Sequence, residues 1–365
     1  GLDDALAIIT ERILQQRERR QKIAETLEGL SKINLNVDGL AEPSLVNEVE
    51  MHPLKETAVA GVDGGLLEQQ LHGLDLIMVR ALAVIFHYRD AKLEKAEYLP
   101  GEAQPPKLID VAEPLDAREF ELLTGMERQL AEVEVSIAAA EESCAKLLLM
   151  DGSVVPQYVD RFPRNKLLLR KYQLLIKRYI ELYAACEMSG ILLAGAVKDS
   201  RGARFIDILR KGVMPSLGDL GLAREDLTVL ERSRDAAILD HLLETGERTA
   251  AFTYAERPAS YVLGDLGGWG EKIHAFYMKT VPFDMPLRVE FVNCSGAPAE
   301  TAGQVASLVY ALSSHHDAFG IPSVLVEADV CARLREEDLC LVRDSITDRL
   351  GAPALQDLRR QRRPF

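Results

Sequence analysis

The stretch TAVAGVDGG at residues 57–65 decides the fold class of this 365-residue chain, because it joins a short apolar run to a pair of glycines. Such a run predicts a buried β-strand, and the glycines predict a turn at its end. Similar runs follow along the chain and predict further strands at residues 74–88, 146–151, 190–197, 287–293 and 322–327. Between them, the polar connection over residues 90–116 contains one short predicted strand at 107–111.

Helical patterns separate these runs. Residues 116–143 place apolar side chains three and four positions apart, which is the spacing of one face of an α-helix. The same kind of spacing predicts helices at residues 3–33, 167–188 and 300–316. Buried strands that alternate with helices predict an α/β fold with a mixed central sheet flanked by helices. We expect a helical extension over residues 1–50, one domain over 51–345 with a helical insertion at 205–250, and a basic tail over 346–365.

The composition is that of a globular protein, with 47% hydrophobic residues. No apolar run approaches the ~20 residues of a membrane span. Residues 1–13 lack the basic region of a signal peptide, so we expect a cytoplasmic protein without membrane contact. The net charge of −14 argues against a broad basic surface for nucleic acid. The charge is uneven, however, because residues 161–178 contain seven basic residues and no acidic one.

Aspartates stand where the predicted strands end. Asp63, Asp151 and Asp199 each lie at or just after the end of an apolar run, and Asp329 follows the last one. Carboxylates that converge at one sheet edge repel one another unless a divalent cation neutralises them, and oxygen ligands favour Mg²⁺ or Mn²⁺. Two such ions support phosphodiester hydrolysis. The alternative is structural, since Asp-Gly is also a common turn dipeptide.

The helix predicted over residues 116–143 contains two further candidate carboxylates. Glu134 lies one turn from both Leu130 and Ile137, and Glu127 has a similar place on the same face. A carboxylate on a buried helical face is costly unless it is paired or bound to metal. We expect Glu134 to face inward and the other glutamates of this helix, Glu132 among them, to face solvent; Glu127 stays open as the alternative.

At these residues the sequence resembles the NurA nuclease family, the partners of the HerA-type hexameric DNA translocase. The matching segments are AGVDGG at 60–65, Glu134 ahead of LLLMDGS at 147–153, and GAVKDSR at 195–201. The strand segment RVE at 288–290 and the segment IPSVLVEAD at 321–329 follow in the same order. The resemblance covers residues 57–335.

The resemblance implies an RNase H-like core, a homodimer, and Mn²⁺- or Mg²⁺-dependent cleavage of single-stranded DNA and DNA ends during end resection and repair. Asp63, Glu134 and Asp151 would be metal ligands, and Lys198 would lie near the scissile phosphate. The last position of the family pattern is often His and is Asp329 here. A carboxylate can still ligate metal, but it cannot act as an acid or base near neutrality as imidazole does.

The basic segment predicts contact with DNA. Arg164, Lys166, Arg170 and Lys171 would follow a phosphate backbone on one helix face, and Arg201 would join them after the strand at 190–197. Tyr172 and Tyr179, interleaved with these residues, would stack on bases. The alternative is a solvated helix surface.

Two other functions remain open. A non-catalytic partner of a DNA translocase would keep the fold, and the replacement of His by Asp329 is the feature that allows it. A phosphotransferase of the actin or sugar-kinase type would also begin with a strand and Asp-Gly-Gly. That class needs a second nucleotide-binding glycine segment, for which Gly267-Gly268 is the candidate.

Overall fold

The fold is known from a computed structural model, which describes residues 1–31, 33–71, 74–102, 104–217 and 220–350. Within these ranges we find no helix with the length and apolar character that crossing a membrane requires. The chain forms two compact units. The first comprises Gly1–Leu54, Gly152–Val154 and Ala194–Ser323, and the second comprises Lys55–Asp151, Val155–Leu193 and Val324–Phe365.

Helices and strands alternate through most of the chain. The helices are α1 (Leu2–Ser31), α2 (Ala117–Glu142), α3 (Lys166–Ser189), α4 (Arg204–Ile208), α5 (Met214–Leu217), α6 (Arg224–Arg232), α7 (Asp235–Leu242), α8 (Pro298–Ser313), α9 (Ser323–Ala332) and α10 (Glu336–Leu350). The strands are β1 (Val46–Glu48), β2 (Thr57–Gln70), β3 (Asp75–Arg89), β4 (Lys92–Leu99), β5 (Lys107–Val111), β6 (Leu147–Asp151), β7 (Leu192–Val197), β8 (Glu247–Thr249), β9 (Phe252–Thr253), β10 (Ile273–Met278) and β11 (Leu287–Val292). A π-helical turn (Leu209–Val213) joins α4 to α5, and 3-10 segments lie at Pro258–Ser260 and Val262–Lys272. The α/β class is confirmed.

The second unit contains a mixed sheet in the order β6-β2-β3-β4, with β5 paired to β3. β2 and β6 run parallel, whereas β2 and β3 are antiparallel over the full length of β2. The sequence missed β4, because its residues are polar and largely exposed, as is usual for an edge strand. Residues 351–365, most of the expected basic tail, lie outside the described residues.

Helix α2 begins where the sequence places a capping box. The carboxylate of Asp116 accepts the N–H of Glu119 at 2.8 Å, and the Glu119 side chain accepts the N–H of Asp116 at 3.1 Å. These two bonds satisfy backbone donors that the first turn of a helix leaves unpaired. The helix therefore starts within one residue of the predicted boundary and spans 26 residues against the sheet.

The glycines of the opening stretch do not form the predicted turn. β2 continues through Gly64 and Gly65 to Gln70, so Asp63 lies in mid-strand. The reason is packing: a Cβ on Gly61 would lie 2.9 Å from the carbonyl oxygen of Val324, and one on Gly65 would overlap the carbonyl oxygen of Ala332. Both oxygens belong to α9, so the glycines permit a helix to lie against the strand.

Helix α9 also corrects the strand predicted at residues 322–327. The β-branched residues of this segment favour a strand locally, but Val324, Leu325, Ala328 and Ala332 are buried at helical spacing. Asp329 therefore lies within a helix and not behind a strand. Packing against the glycines of β2 outweighs the local preference.

Gly65→Ala is expected to destabilise the protein by about 1–3 kcal/mol, because the added methyl group has no space against α9. Gly125→Ala is the control, since a Cβ at Gly125 in α2 meets nothing within 4 Å. Loss of a mid-helix glycine should stabilise the fold by about 0.5–1 kcal/mol. Urea unfolding of both variants measures the difference, and equal stability of the two would contradict this packing.

The first unit has strands in the order β1-β8-β10-β11-β7. Its core includes Ile23 and Leu27 of α1 together with Phe205, Phe252 and Tyr277. The N-terminal half of α1 contributes nothing to this core. Its apolar residues stay exposed instead, among them Leu6, Ile9 and Ile13.

Candidate active site

Asp63 and Asp151 are brought together by strand register. The last parallel pair between β2 and β6 is Val62 with Met150, so the next residue on each strand is an aspartate. Neighbouring strands lie about 4.8 Å apart, and aligned residues point to the same face. Asp63 is 7% exposed, and its Oδ1 accepts the N–H of Gly64 at 2.7 Å. The sheet thus places the two aspartates side by side on neighbouring strands, and their role as metal ligands stays a prediction.

Glu132 is the third carboxylate at this place, and it lies on α2. A Cβ on Gly64 would lie 2.6 Å from its Oε1, so the glycine leaves the space that this side chain occupies. Glu132 is 6% exposed and its Oε1 accepts no hydrogen bond, the Nη1 of Arg128 being 3.7 Å away. Burial raises the pKa of Glu132 to about 8; Arg128 opposes this shift, and the charges of Asp63 and Asp151 add to it.

These three side chains suit a divalent cation by their chemistry. All are oxygen donors, and a buried carboxylate without a hydrogen bond is costly unless a cation compensates it. In the part of the chain that the structure describes, no group of three or more Asp, Glu, His or Cys side chains is arranged to hold a metal ion as it stands. By donor type and burial, Asp63, Glu132 and Asp151 are nevertheless the candidates to hold Mn²⁺ or Mg²⁺, and the buried, unbonded Oε1 of Glu132 is the strongest reason.

The expectation that Glu134 faces inward is wrong. Its side chain is 49% exposed and lies 3.9 Å from the Nε of Arg178. The buried face of α2 changes along the helix: the first half buries Phe120, Leu123 and Glu127, and the second half buries Glu132, Ser136, Ala139 and Ala140. The expectation for Glu134 assumed that one apolar stripe runs along both halves of α2. The small residues after Glu132 were the available signal, since they mark a face packed closely on another element.

Glu127, the open alternative, is buried but already has a cation. It is 3% exposed and forms an ion pair with Lys171 of α3. This pair also alters the interpretation of Lys171, which was expected on the DNA-binding face. A buried carboxylate with its own lysine is compensated without metal, so Glu127 is a poorer ligand candidate than Glu132.

Asp329 lies on the helix that packs along β2. Its side chain is 44% exposed and its Oδ2 accepts a bond of 2.6 Å from Nη2 of Arg333, one turn further on. The contacts of α9 with Gly61 and Gly65 stand on either side of Asp63 along the strand. The carboxylate of Asp329 is thus paired on its own helix, and its role as an additional ligand stays a prediction.

Lys198 and Arg201 belong to the first unit. Both are exposed and follow β7 directly, and Lys198 lines a cavity of about 360 Å³ with Asp284 and Phe319. The hydroxyl groups of Ser200 and Tyr277 are 3.3 Å apart, which fixes the loop between the two basic residues. Their assignment to phosphate contact stays a prediction.

A buried network in the first unit holds the loop that follows Asp151. Arg288 donates to Glu290 at 2.8 Å, and the two residues are 6% and 2% exposed. Ser153, in the Gly152–Val154 segment of this unit, donates a hydrogen bond to the other oxygen of Glu290. The segment RVE, noted in the sequence for its resemblance, is therefore a structural support.

The basic helix α3 differs from its predicted form in one respect. Arg164, Lys166 and Arg170 are exposed, as expected. Tyr172 and Tyr179 are not available for stacking, because they are 5% and 1% exposed. They lie seven residues apart, on the same stripe as Leu168, Leu175 and Leu182, and pack into the core.

Comparison with known proteins agrees with this architecture. The family model for the NurA domain matches residues 57–334. The match covers more than half of the chain, which has a mixed α/β fold with a central sheet. The chain belongs to the NurA family.

Solved structures show the same fold at low sequence identity. The NurA nuclease from Sulfolobus solfataricus is 15% identical, with a TM-score of 0.59 over 96% of this chain and 97% of that one. A structure of NurA with manganese is 13% identical, with a TM-score of 0.51 over 96% of this chain and 99% of that one. No individually curated protein sequence matches the chain.

Proposed function

We propose that this protein is a divalent-metal-dependent DNA nuclease. The observation that supports it most is the buried Glu132 carboxylate, without a hydrogen bond at Oε1 and beside Asp63 and Asp151. Membership of the NurA family and the fold shared with the NurA nuclease point to the same chemistry. The manganese in the second structure supports Mn²⁺ as the cation, with Mg²⁺ as the alternative.

Each of these residues would have a separate role in phosphodiester hydrolysis. Asp63, Glu132 and Asp151 would hold the cations, with Asp329 as an additional ligand in an RNase H-like arrangement of two ions. The bound cations supply Lewis-acid activation and stabilise charge on the reacting phosphate. Lys198 would contact that phosphate and offset its developing negative charge. Arg164, Lys166, Arg170 and Arg201 would bind the backbone of the strand, whereas Lys171 chiefly neutralises Glu127.

The substrates and partners follow the family expectation. We infer that the protein cleaves single-stranded DNA and DNA ends, and that it acts with a HerA-type hexameric ATPase in end resection and repair. The homodimer has one supporting feature in the chain itself. Leu6, Ile9 and Ile13 of α1 are each more than half exposed and lie three or four residues apart, a spacing suited to helix pairing.

A non-catalytic partner of a translocase is the second candidate. The observation that favours it is the ion pair of Asp329 with Arg333, which occupies the carboxylate where the family often has His. Metal binding distinguishes the two candidates, because a protein without catalysis has no need for cations at Asp63, Glu132 and Asp151.

Mn²⁺ is expected to raise the melting temperature of the wild-type protein and to leave that of Glu132→Gln nearly unchanged. Without metal the variant is expected to be the more stable protein at pH 7. Burial raises the pKa of Glu132 to about 8, so the wild type must take up a proton at this carboxylate on folding, a cost that Gln does not have. Glu132→Gln should therefore melt about 2 °C or more above wild type. Glu134→Gln is the matched control, since the exposed Glu134 lies two residues away on the same helix. Scanning calorimetry with EDTA or Mn²⁺ measures this. A Mn²⁺ shift in Glu132→Gln equal to that of wild type would contradict the site.

A further inference from the structure

Two aromatic rings stand in solvent between β6 and α3. Tyr158 is 86% exposed and Phe162 is 79% exposed, four residues apart in the segment 155–165. A globular protein gains by burying such rings, and a pair left in one loop indicates a binding surface. We call residues 155–165 the aromatic loop. It lies wholly in the second unit.

The aromatic loop is held in place rather than loose. The side-chain amide of Gln129 in α2 donates to the carbonyl of Gln157 at 2.9 Å and accepts the N–H of Gln157 at 2.8 Å. Asp160 accepts the N–H of Phe162 at 2.9 Å. Tyr158 has a φ of 52°, a left-handed conformation that a non-glycine residue adopts at a cost. The rings are thus presented by an ordered backbone.

The base of the aromatic loop lies near the proposed metal ligands. Gln129, which fixes Gln157, precedes Glu132 by three residues of α2, a rise of about 4.5 Å along the helix axis. Tyr158 follows Gln157 directly. A DNA strand whose phosphate is bound by cations at Asp63, Glu132 and Asp151 would therefore pass close to the base of this loop.

The charges beside the rings match nucleic acid. The guanidinium of Arg161 lies 5.3 Å from the centre of the Phe162 ring, and Arg164 and Lys166 are exposed immediately after it. Over residues 155–178 the sequence contains one acidic residue, Asp160. Alternating cations and aromatic rings are the means by which proteins bind phosphates and stack unpaired bases.

We propose that Tyr158 and Phe162 form a base-stacking platform for single-stranded DNA beside the metal site. The proposal rests on the proposed nuclease function and specifies its substrate: the rings take bases that are already unpaired, at single strands and frayed ends. In a duplex the faces of the bases are stacked on one another, so Tyr158 and Phe162 cannot bind them.

The test compares two oligonucleotides of equal length, fluorescein-labelled oligothymidine and a fully abasic strand, with Ca²⁺ in place of Mn²⁺. The combined variant Tyr158→Ala with Phe162→Ala is expected to bind oligothymidine at least about tenfold more weakly by anisotropy, and the abasic strand as wild type does. Tyr158→Phe keeps the ring and should keep the affinity. Phe283→Ala is the matched control, because Phe283 is 76% exposed in the first unit.

Three outcomes would overturn the platform. One is unchanged affinity of the combined variant for oligothymidine. Another is an equal loss of affinity for the abasic strand, which would mean that the loop contacts only phosphates. The third is a change of oligomeric state in sedimentation with oligothymidine affinity intact, which would make the loop a protein interface. A cleavage assay on the same preparations is independent: no cleavage by wild type contradicts the nuclease, while ring-dependent binding still supports the platform.

Discussion

Replacing Glu132 with glutamine is expected to reduce Mn²⁺-dependent cleavage of single-stranded DNA by about 100-fold or more. The amide has almost the shape of the carboxylate but lacks the charge that a cation needs, and even residues that only support metal ligands contribute about 10–100-fold. Initial rates on a labelled single strand at saturating Mn²⁺ provide the measurement.

Glu134→Gln is the control for this experiment and should cleave within about twofold of wild type, because its side chain is half exposed and faces Arg178. The pair of variants distinguishes two glutamates that stand two positions apart. Full loss in Glu134→Gln with an active Glu132→Gln would restore the interpretation made from the sequence and reject the one made from the structure.

Asp63→Ala is expected to abolish Mn²⁺-dependent cleavage, with a loss of about 1,000-fold or more. β2 and β6 place Asp63 and Asp151 side by side. Removing Asp63 therefore takes away one of the three carboxylates that would hold the cations. The protein should still fold, because alanine is smaller than aspartate and β2 is paired with β3 along its whole length.

Asp110→Ala supplies the matched control, since Asp110 is an exposed carboxylate on β5 of the same unit. Linear single- and double-stranded DNA, each with and without Mn²⁺, completes the assay. Cleavage by Asp63→Ala at the wild-type rate would reject the nuclease assignment based on this site, whereas absence of cleavage by the wild type would favour the non-catalytic partner. Circular dichroism of both variants confirms that the protein is folded.

The sequence predicted those elements whose local pattern and packing agree. β6 and β7 are buried on both faces and appear as continuous apolar runs, and α2 starts at a capping box. α9 was predicted as a strand because Ser323-Val-Leu-Val favours one locally. Only the glycines on β2 show that a helix covers this place, and a contact between two such distant segments is not visible in either one alone.

Only part of the candidate site was predictable, because only part of it depends on the local sequence pattern. Asp63 and Asp151 each follow an apolar run that the sequence marks clearly, although only Asp151 ends its strand and Asp63 lies within β2. Glu132 depends on which face of α2 meets β2, and that face changes along the helix. A single stripe of apolar residues cannot describe a helix that contacts different neighbours in its two halves.

The basic segment illustrates a different limit. Tyr172 and Tyr179 stand among arginines and lysines, so composition suggests exposed stacking residues, but their periodicity places them in the core. Tyr158 and Phe162 have no periodicity, and their exposure became known only from the loop conformation. Solvent exposure of an aromatic ring outside a regular element is a tertiary property.

The fit of α9 against the glycines of β2 also joins two segments that the ribosome makes at different times. β2 precedes α9 by about 250 residues and is therefore made before it. Until the ribosome has released the segment that contains Ala332, the strand that carries Asp63 lacks the helix that covers it. A chain that ends before α9 would therefore leave the Asp63 strand uncovered, because no other segment that the structure describes supplies the carbonyl contacts at Gly61 and Gly65 described above.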